Sequence, residues 1–256
     1  MKSLLAFMKK ECISQIRSAK LFILLLVFFV FGVMNPVTAK ITPWLFEILG
    51  ETLENSGINI GSVTVSALDS WMQFFKNLPM AMIVFVVLQS GIFTKEYKSG
   101  TLVISLTKGL ERYKIVVCKA VMLVATWSVL YWLYFGVTYG VTACFWDNGV
   151  AQNLALAVVC GWLFGVWVMA LIVLFSTFSK GTAGVLLGSG GVVFGMSLVS
   201  ALPKIGKYFP TILSDGTSLV YGLVSAGSYT AAIVITVVVT IACFVVSVPI
   251  FNKKQL

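Results

Sequence analysis

The sequence predicts an all-α integral membrane protein with six transmembrane helices and with both the amino and carboxyl termini in the cytoplasm. Of its 256 residues, 59% are hydrophobic and only 11% are charged, and the mean hydropathy is +1.00. A water-soluble domain carries about a quarter charged residues. Lipid must therefore be the solvent for most of this chain.

Six apolar runs supply the predicted spans, because a hydrocarbon core about 30 Å thick needs roughly 20 apolar residues in a helix. None of the six contains Asp, Glu, Lys or Arg. The sequence predicts a single transmembrane domain over residues 21–256. Its spans are 21–37, 78–93, 120–145, 154–178, 183–202 and 229–251.

The charge distribution predicts the orientation. With the amino terminus inside, the inner segments hold 14 Lys and Arg residues, whereas the outer segments hold four. An excess of basic residues marks the cytoplasmic side of membrane proteins. The net charge of +9 is therefore explained by topology, and no nucleic acid partner is expected.

Residues 1–20 are predicted to form an amphipathic helix on the inner membrane surface. Leu4, Met8, Cys12 and Ile16 recur at every fourth position, and the basic residues lie mostly off this stripe. A signal peptide is the alternative, because residues 37–39 fit a small-residue cleavage site. The length and patterning of the basic region favour the surface helix.

Two outer connections differ in character. Residues 38–77 are predicted to form one long outer loop whose role the sequence leaves open. Residues 203–228 mix Pro203 and Pro210 with apolar pieces too short to span, which predicts short re-entrant segments between spans five and six. These segments fit either a gate or a plain connection.

Small residues crowd the fifth predicted span. Gly184, Gly188, Gly191 and Gly195 give small-xxx-small spacing, which lets helix backbones approach closely. Packing within one chain is favoured, and a dimer seam is the alternative.

Several kinds of chemistry are missing from the sequence. The chain has no histidine, no G-x-x-x-x-G-K-[ST] loop and no G-x-S-x-G, and its five cysteines form no C-x-x-C pair. We expect no catalytic residue, no metal site and no cofactor bound by this chain. If the protein performs work, the energy enters from elsewhere.

The strip between spans two and three, residues 94–119, concentrates six of the 18 basic residues. Glycine, threonine and apolar residues interrupt the charges, so residues 102–106 can form a short helix that Gly109 ends. Such an element fits a groove on a soluble partner. The alternative is that the lysines only anchor the loop to anionic lipid headgroups.

The order of residues in this strip resembles the cytoplasmic signature of type-2 ABC transporter permeases, roughly E-x-x-x-G-T-L, then P-x-S-R, then G-K. Three positions depart from it: Gly109 replaces the proline, Glu111 the serine and Cys118 the glycine. The matching residues are Glu96, Gly100, Thr101, Leu102, Arg112 and Lys119. The six spans, the amino-terminal helix and the re-entrant segments also suit this family.

The resemblance implies an ABC exporter in which this strip is the coupling helix, seated on a separate ATPase subunit. Two ATPase subunits, carrying ATP and Mg²⁺, would serve this permease and a second, identical or related permease in a bacterial plasma membrane. The residues that the resemblance places at or near the contact are Glu96, Tyr97, Lys98, Ser99, Gly100, Thr101, Leu102 and Leu106, with Arg112 and Lys119 bracing it.

Two other functions stay open on the sequence alone: a stand-alone channel or carrier, and a membrane scaffold without transport. Spans without ionisable residues argue against an ion-coupled carrier. The cargo is not identified, since aromatic residues such as Trp127 and Trp162 suit an amphipathic substrate and lipid-facing packing equally well.

Overall fold

The computed structural model describes residues 2–54, 64–107, 109–200, 202 and 206–254, and these residues form helices joined by short connections. The α-helices are α1 Lys2–Ile16, α2 Ala19–Glu54, α3 Ala67–Gln89, α4 Thr94–Ser99, α5 Thr101–Thr107, α6 Arg112–Phe145, α7 Leu154–Phe178, α8 Thr182–Ser200, α9 Thr217–Val220 and α10 Thr230–Lys253. Four short 3₁₀ helices accompany them, at Asn148–Val150, Gly206–Tyr208, Pro210–Ser214 and Ala226–Tyr229.

Six of the described helices, α2, α3, α6, α7, α8 and α10, are long and apolar enough to cross a membrane. This finding confirms the predicted all-α, six-span fold class. We call the end of the bundle that carries α1, α4 and α5 the inner end, because its basic residues predict that it faces the cytoplasm. The orientation itself stays a prediction.

The first two spans continue well beyond their apolar runs. Helix α2 extends through Glu54, and α3 starts at Ala67, so much of the region expected to be an outer loop is helical. Ser66 and Asp69 form a capping box at the start of α3. Ser66 Oγ accepts a hydrogen bond from the Leu68 N–H at 3.2 Å, and the Asp69 carboxylate accepts one from the Ser66 N–H at 2.8 Å. The expectation failed because an apolar run ends where the lipid ends, whereas the helix continues until a cap or breaker stops it.

Proline inside α2 is accommodated by its neighbours. Pro36 has no N–H to bond the carbonyl of Gly32, and the Thr138 hydroxyl of α6 donates to that oxygen at 3.1 Å instead. Asn35 is fully buried beside it and donates to the Tyr134 and Thr138 hydroxyls at 2.9 and 3.1 Å. Hydrogen bonds thus join α2 to α6 inside the apolar bundle.

Helix α7 forms the centre of the bundle and is the most buried span, whereas α8 is the least buried. Gly165 of α7 admits the Trp127 indole of α6 directly against the backbone. Trp127 also contacts Phe28 and Phe85 edge-on, at centroid distances of 6.1 and 5.5 Å. The core therefore consists of aromatic side chains from α2, α3 and α6 packed on small residues of α7.

The connection between α8 and α10 is packed against the bundle. Leu213, Leu219 and Val220 are buried there, and the Val220 carbonyl accepts a hydrogen bond from the Gln152 N–H at 3.0 Å. Pro210 begins a 3₁₀ helix and is itself buried, whereas Pro203 lies outside the described residues. Re-entry into the bilayer and a gating role stay predictions.

Candidate functional site

The strip over residues 94–119 consists of two short helices and the start of a long one. Gly100 ends α4 in the left-handed region with φ of 67°, a conformation that glycine adopts without steric cost. Helix α5 follows, and Gly109, with φ of 85°, separates it from α6. Arg112 and Lys119 consequently belong to the first turns of α6.

A balanced ion cluster fixes the base of this strip. Lys119 is 1% exposed, and its Nζ lies 2.9 Å from Glu96 Oε2 and 3.2 Å from Glu11 Oε2. Lys10 approaches the other oxygens of the same carboxylates, at 3.4 Å from Glu11 Oε1 and 3.6 Å from Glu96 Oε1. Two ammonium groups therefore neutralise two carboxylates, which is what makes their burial tolerable.

Aromatic rings enclose the same cluster. Lys119 Nζ lies 5.6 Å from the centre of the Phe93 ring and 6.0 Å from that of Phe7, within the range of cation–π attraction. Phe7 and Glu11 lie one helical turn apart on α1, and both are buried. The cluster thus joins α1, α4 and α6 at one point.

Tyr97 connects α4 to the opposite side of the bundle. Its hydroxyl donates to the Ser176 carbonyl at 3.1 Å, and its ring stacks on Phe251 of α10. Lys254 lies over the Tyr97 ring at 4.1 Å and donates to the Ser179 carbonyl at 2.7 Å. Burial, followed by the nearby Lys180, lowers the pKa of the Lys254 ammonium.

Arg112 holds the end of α10. Its Nη1 donates to the carbonyls of Phe251 and Asn252 at 3.2 Å and to that of Lys254 at 2.6 Å. The last carbonyls of a helix have no partner within the helix, and a cation there is favoured by the helix dipole. Arg112 thus links the first turn of α6 to the last turn of α10.

The residues predicted for the contact divide into two groups. Glu96, Tyr97 and Leu102 are turned toward the bundle, and Leu106 is half-buried. Ser99 and Thr101 are exposed on either side of Gly100, and their hydroxyl oxygens lie 2.9 Å apart. The side chain of Lys98 lies outside the described residues. We call Ser99–Thr101 the exposed tip.

Sequence reasoning missed the contribution of α1 to this site. The predicted stripe leaves Cys12 and Ile16 exposed, whereas Phe7 and Glu11 enter the core. A signal for Glu11 was present, because it is the only acidic residue among the first 20. In the structure its buried partner is Lys119 of α6.

The glycines of α8 also divide into two groups. A Cβ on Gly188 would lie 2.3 Å from the Phe175 ring of α7, and one on Gly184 would lie 2.8 Å from Ser179 Oγ. Gly191 and Gly195 have no described neighbour within 4 Å of that position. The inner half of the stripe thus packs within the chain, and the outer half faces open space.

A partly open cavity of about 440 Å³ lies between α3, α7 and α8, and its lining is mostly apolar. Met82 and Val86 line it from α3, and Phe164 from α7. Ser189 and Gly190 line it from α8. A site of this size and character suits an apolar or amphipathic molecule.

The chain matches the model of a known protein family. The model described as ABC-2 family transporter protein matches residues 5–204, which run from within α1 to just past α8 and make up more than half of the chain. No curated protein matches the chain.

Proposed function

Since the chain belongs to the ABC-2 family of transporter proteins, we propose that residues 94–119 couple its spans to the ATP cycle of a separate ATPase subunit. The protein is a multi-pass membrane component of an ABC transporter. Permeases of this family are not ATPases themselves and generally work with an ATPase subunit. The finer proposal concerns where that subunit contacts this chain and what its motion does.

One observation supports the proposal: the side chains directly behind the exposed tip are bonded to several other helices of the inner end. Behind the tip, Glu96 is bonded to α6 and α1, and Tyr97 to the end of α7. Arg112 continues the connection to α10. A displacement of the tip would therefore move several spans together, because their links are short and mostly buried.

The complete transporter that we propose contains two ATPase subunits, which bind ATP and Mg²⁺, and two permeases, the second identical or related to this one. It exports an apolar or amphipathic substrate from a bacterial cell across the plasma membrane. The cavity beside α8 is proposed as part of the substrate path, supported by its apolar lining and by the sparse packing of α8.

The variant Gly100→Arg tests the coupling site. We expect it to abolish co-purification with the co-expressed ATPase subunit and to reduce ATP-driven transport to background, since a long cation would occupy the contact. No described atom lies within 4 Å of a Cβ at Gly100, so the fold has room for it. Co-purification and ATP-driven transport in reconstituted vesicles are the measurements.

Gly100→Ala is the matched control, because it shares the backbone strain of about 1 kcal/mol at positive φ but adds only a methyl group. It should retain the ATPase subunit. If both variants retain the subunit and transport normally, the exposed tip is not the coupling contact.

The variant Gly190→Phe tests the cavity. Its side chain would project into the proposed substrate path, and no described atom obstructs a Cβ there. We expect ATP-dependent efflux of a lipophilic fluorescent dye to fall close to background while the ATPase subunit still co-purifies. Gly191→Phe is the control, since Gly191 is equally open but does not line the cavity. Equal efflux from both variants would exclude the cavity from the path.

A further inference from the structure

Two lysines of like charge meet at the inner ends of α2 and α3. Lys20 Nζ donates to the carbonyl of Leu88, in the last turn of α3, at 2.8 Å. The stem of Lys95 folds back over Gly91, so that a Cβ there would lie 3.1 Å from Lys95 Cε. Both side chains therefore converge on the end of α3, within one helical turn of each other, and their like charges repel.

The described carboxylates of the inner end are already paired with other basic groups. Among the described residues the inner end carries three carboxylates, and each has a basic partner. Glu11 and Glu96 belong to the ion cluster, and Glu111 is paired with Lys114. No described carboxylate lies within 4 Å of Lys20 or Lys95, so an anion that neutralises this pair must come from outside the described chain.

The position of the pair identifies the chemistry of that anion. Lys20 is the second residue of α2, and Leu88 lies one residue before the end of α3. Two spans therefore reach the membrane boundary where these ammonium groups lie, at the level of the lipid headgroups. Basic side chains at this level attract anionic lipids.

The Leu88 carbonyl explains only part of the arrangement. The end of a helix carries partial negative charge, which favours one cation there. The Lys95 ammonium is a second cation near the first, and no described carboxylate lies within 4 Å of it. A phosphate group between the two would remove the repulsion between them.

We propose that Lys20 and Lys95 together bind the phosphate of an anionic phospholipid in the leaflet at the inner end. The ATPase subunit is the less suitable occupant, because Lys20 lies at the start of a span and the exposed tip lies at the far end of α4. The lipid would hold α2, α3 and α4 together at their meeting point. This binding does not depend on the proposed coupling function.

The test is native mass spectrometry of the delipidated full chain titrated with phosphatidylglycerol. For Lys20→Gln/Lys95→Gln we expect roughly 30-fold weaker binding at the strongest site, and for Lys95→Gln alone about fivefold. Lys180→Gln/Lys253→Gln is the control, because it removes two exposed charges from the same end. It should change binding less than about twofold, as expected for screened charges far from the site.

Two further titrations distinguish the source of the phosphate. Phosphatidylcholine should bind much more weakly than phosphatidylglycerol, and millimolar inorganic phosphate should not displace the lipid. Equal weakening in the control, unchanged binding in the Lys20/Lys95 variants, or displacement by inorganic phosphate would each overturn the proposal. The proposal would also be overturned if the Lys20→Gln/Lys95→Gln variant lost the ATPase subunit but still bound the lipid normally. Because Lys95 is exposed, Lys95→Gln should fold normally, so weaker lipid binding by this single variant cannot be attributed to misfolding.

Discussion

Replacement of Lys119 by methionine is expected to lower the free energy of unfolding by about 3–5 kcal/mol, because removing one partner of a buried ion pair leaves uncompensated charge. The variant would leave Glu11 and Glu96 facing each other with only Lys10 between them. Methionine has a similar length, so packing against Phe7 and Phe93 is largely kept. Denaturant unfolding in detergent is the measurement.

The Lys114→Met variant provides the control for this result. Lys114 is paired with Glu111 at the surface, three residues away on the same helical turn. Exposed pairs of this kind contribute little to stability, so unfolding should hardly change. The double variant Glu11→Gln/Lys119→Met should recover part of the loss. Equal stability of the Lys119 and Lys114 variants would show that the cluster does not hold α1 in place.

Replacement of Gly165 by alanine is expected to cost about 3 kcal/mol, the upper part of the range for overpacking. The new Cβ would lie 2.1 Å from Trp127 Cε2 and Cζ2. Trp127 cannot easily move aside, because it is fully buried and donates its Nε1 hydrogen to the Trp162 carbonyl at 3.1 Å. Thermal unfolding, followed by tryptophan fluorescence, is the measurement.

Gly140→Ala in α6 is the matched control, since Gly136 and Gly140 in α6 have the same small-xxx-small spacing as Gly161 and Gly165 in α7. A Cβ on Gly140 meets no described atom within 4 Å, so this variant should be neutral or slightly stabilising through helix propensity. If the two substitutions destabilise equally, the contact between α6 and α7 is not set by Gly165.

The six spans could be predicted because lipid acts on composition, and apolar runs without charge are sufficient to reveal them. The extension of α2 past residue 37 could not be predicted this way, since hydropathy records burial in lipid and not helix continuity. Nor could the sequence show that close helix packing occurs at Gly165 and not at Gly140. Small-xxx-small spacing shows that another helix can approach the backbone closely. Only the arrangement of the helices decides which of these glycines lies at a helix contact.

The candidate site shows the same division. Gly100 and Gly109 predict helix breaks, and the backbone is left-handed at both positions in the structure. The partners of Glu96 and Lys119 come from distant parts of the chain, such as Glu11, and a local pattern carries no record of them. The number of charges along the sequence likewise does not distinguish Lys119, which is paired with carboxylates, from Lys20 and Lys95, which have no described carboxylate within 4 Å.

The link between Glu11 and Lys119 also constrains the order of assembly during synthesis. The two residues are separated by 108 positions, so Glu11 leaves the ribosome long before its buried partner exists. Until α6 begins to emerge, α1 has only part of its final contacts, and its carboxylate stays hydrated at the membrane surface. Closure of the inner end is therefore a late event, which follows the insertion of the first two spans and depends on the third.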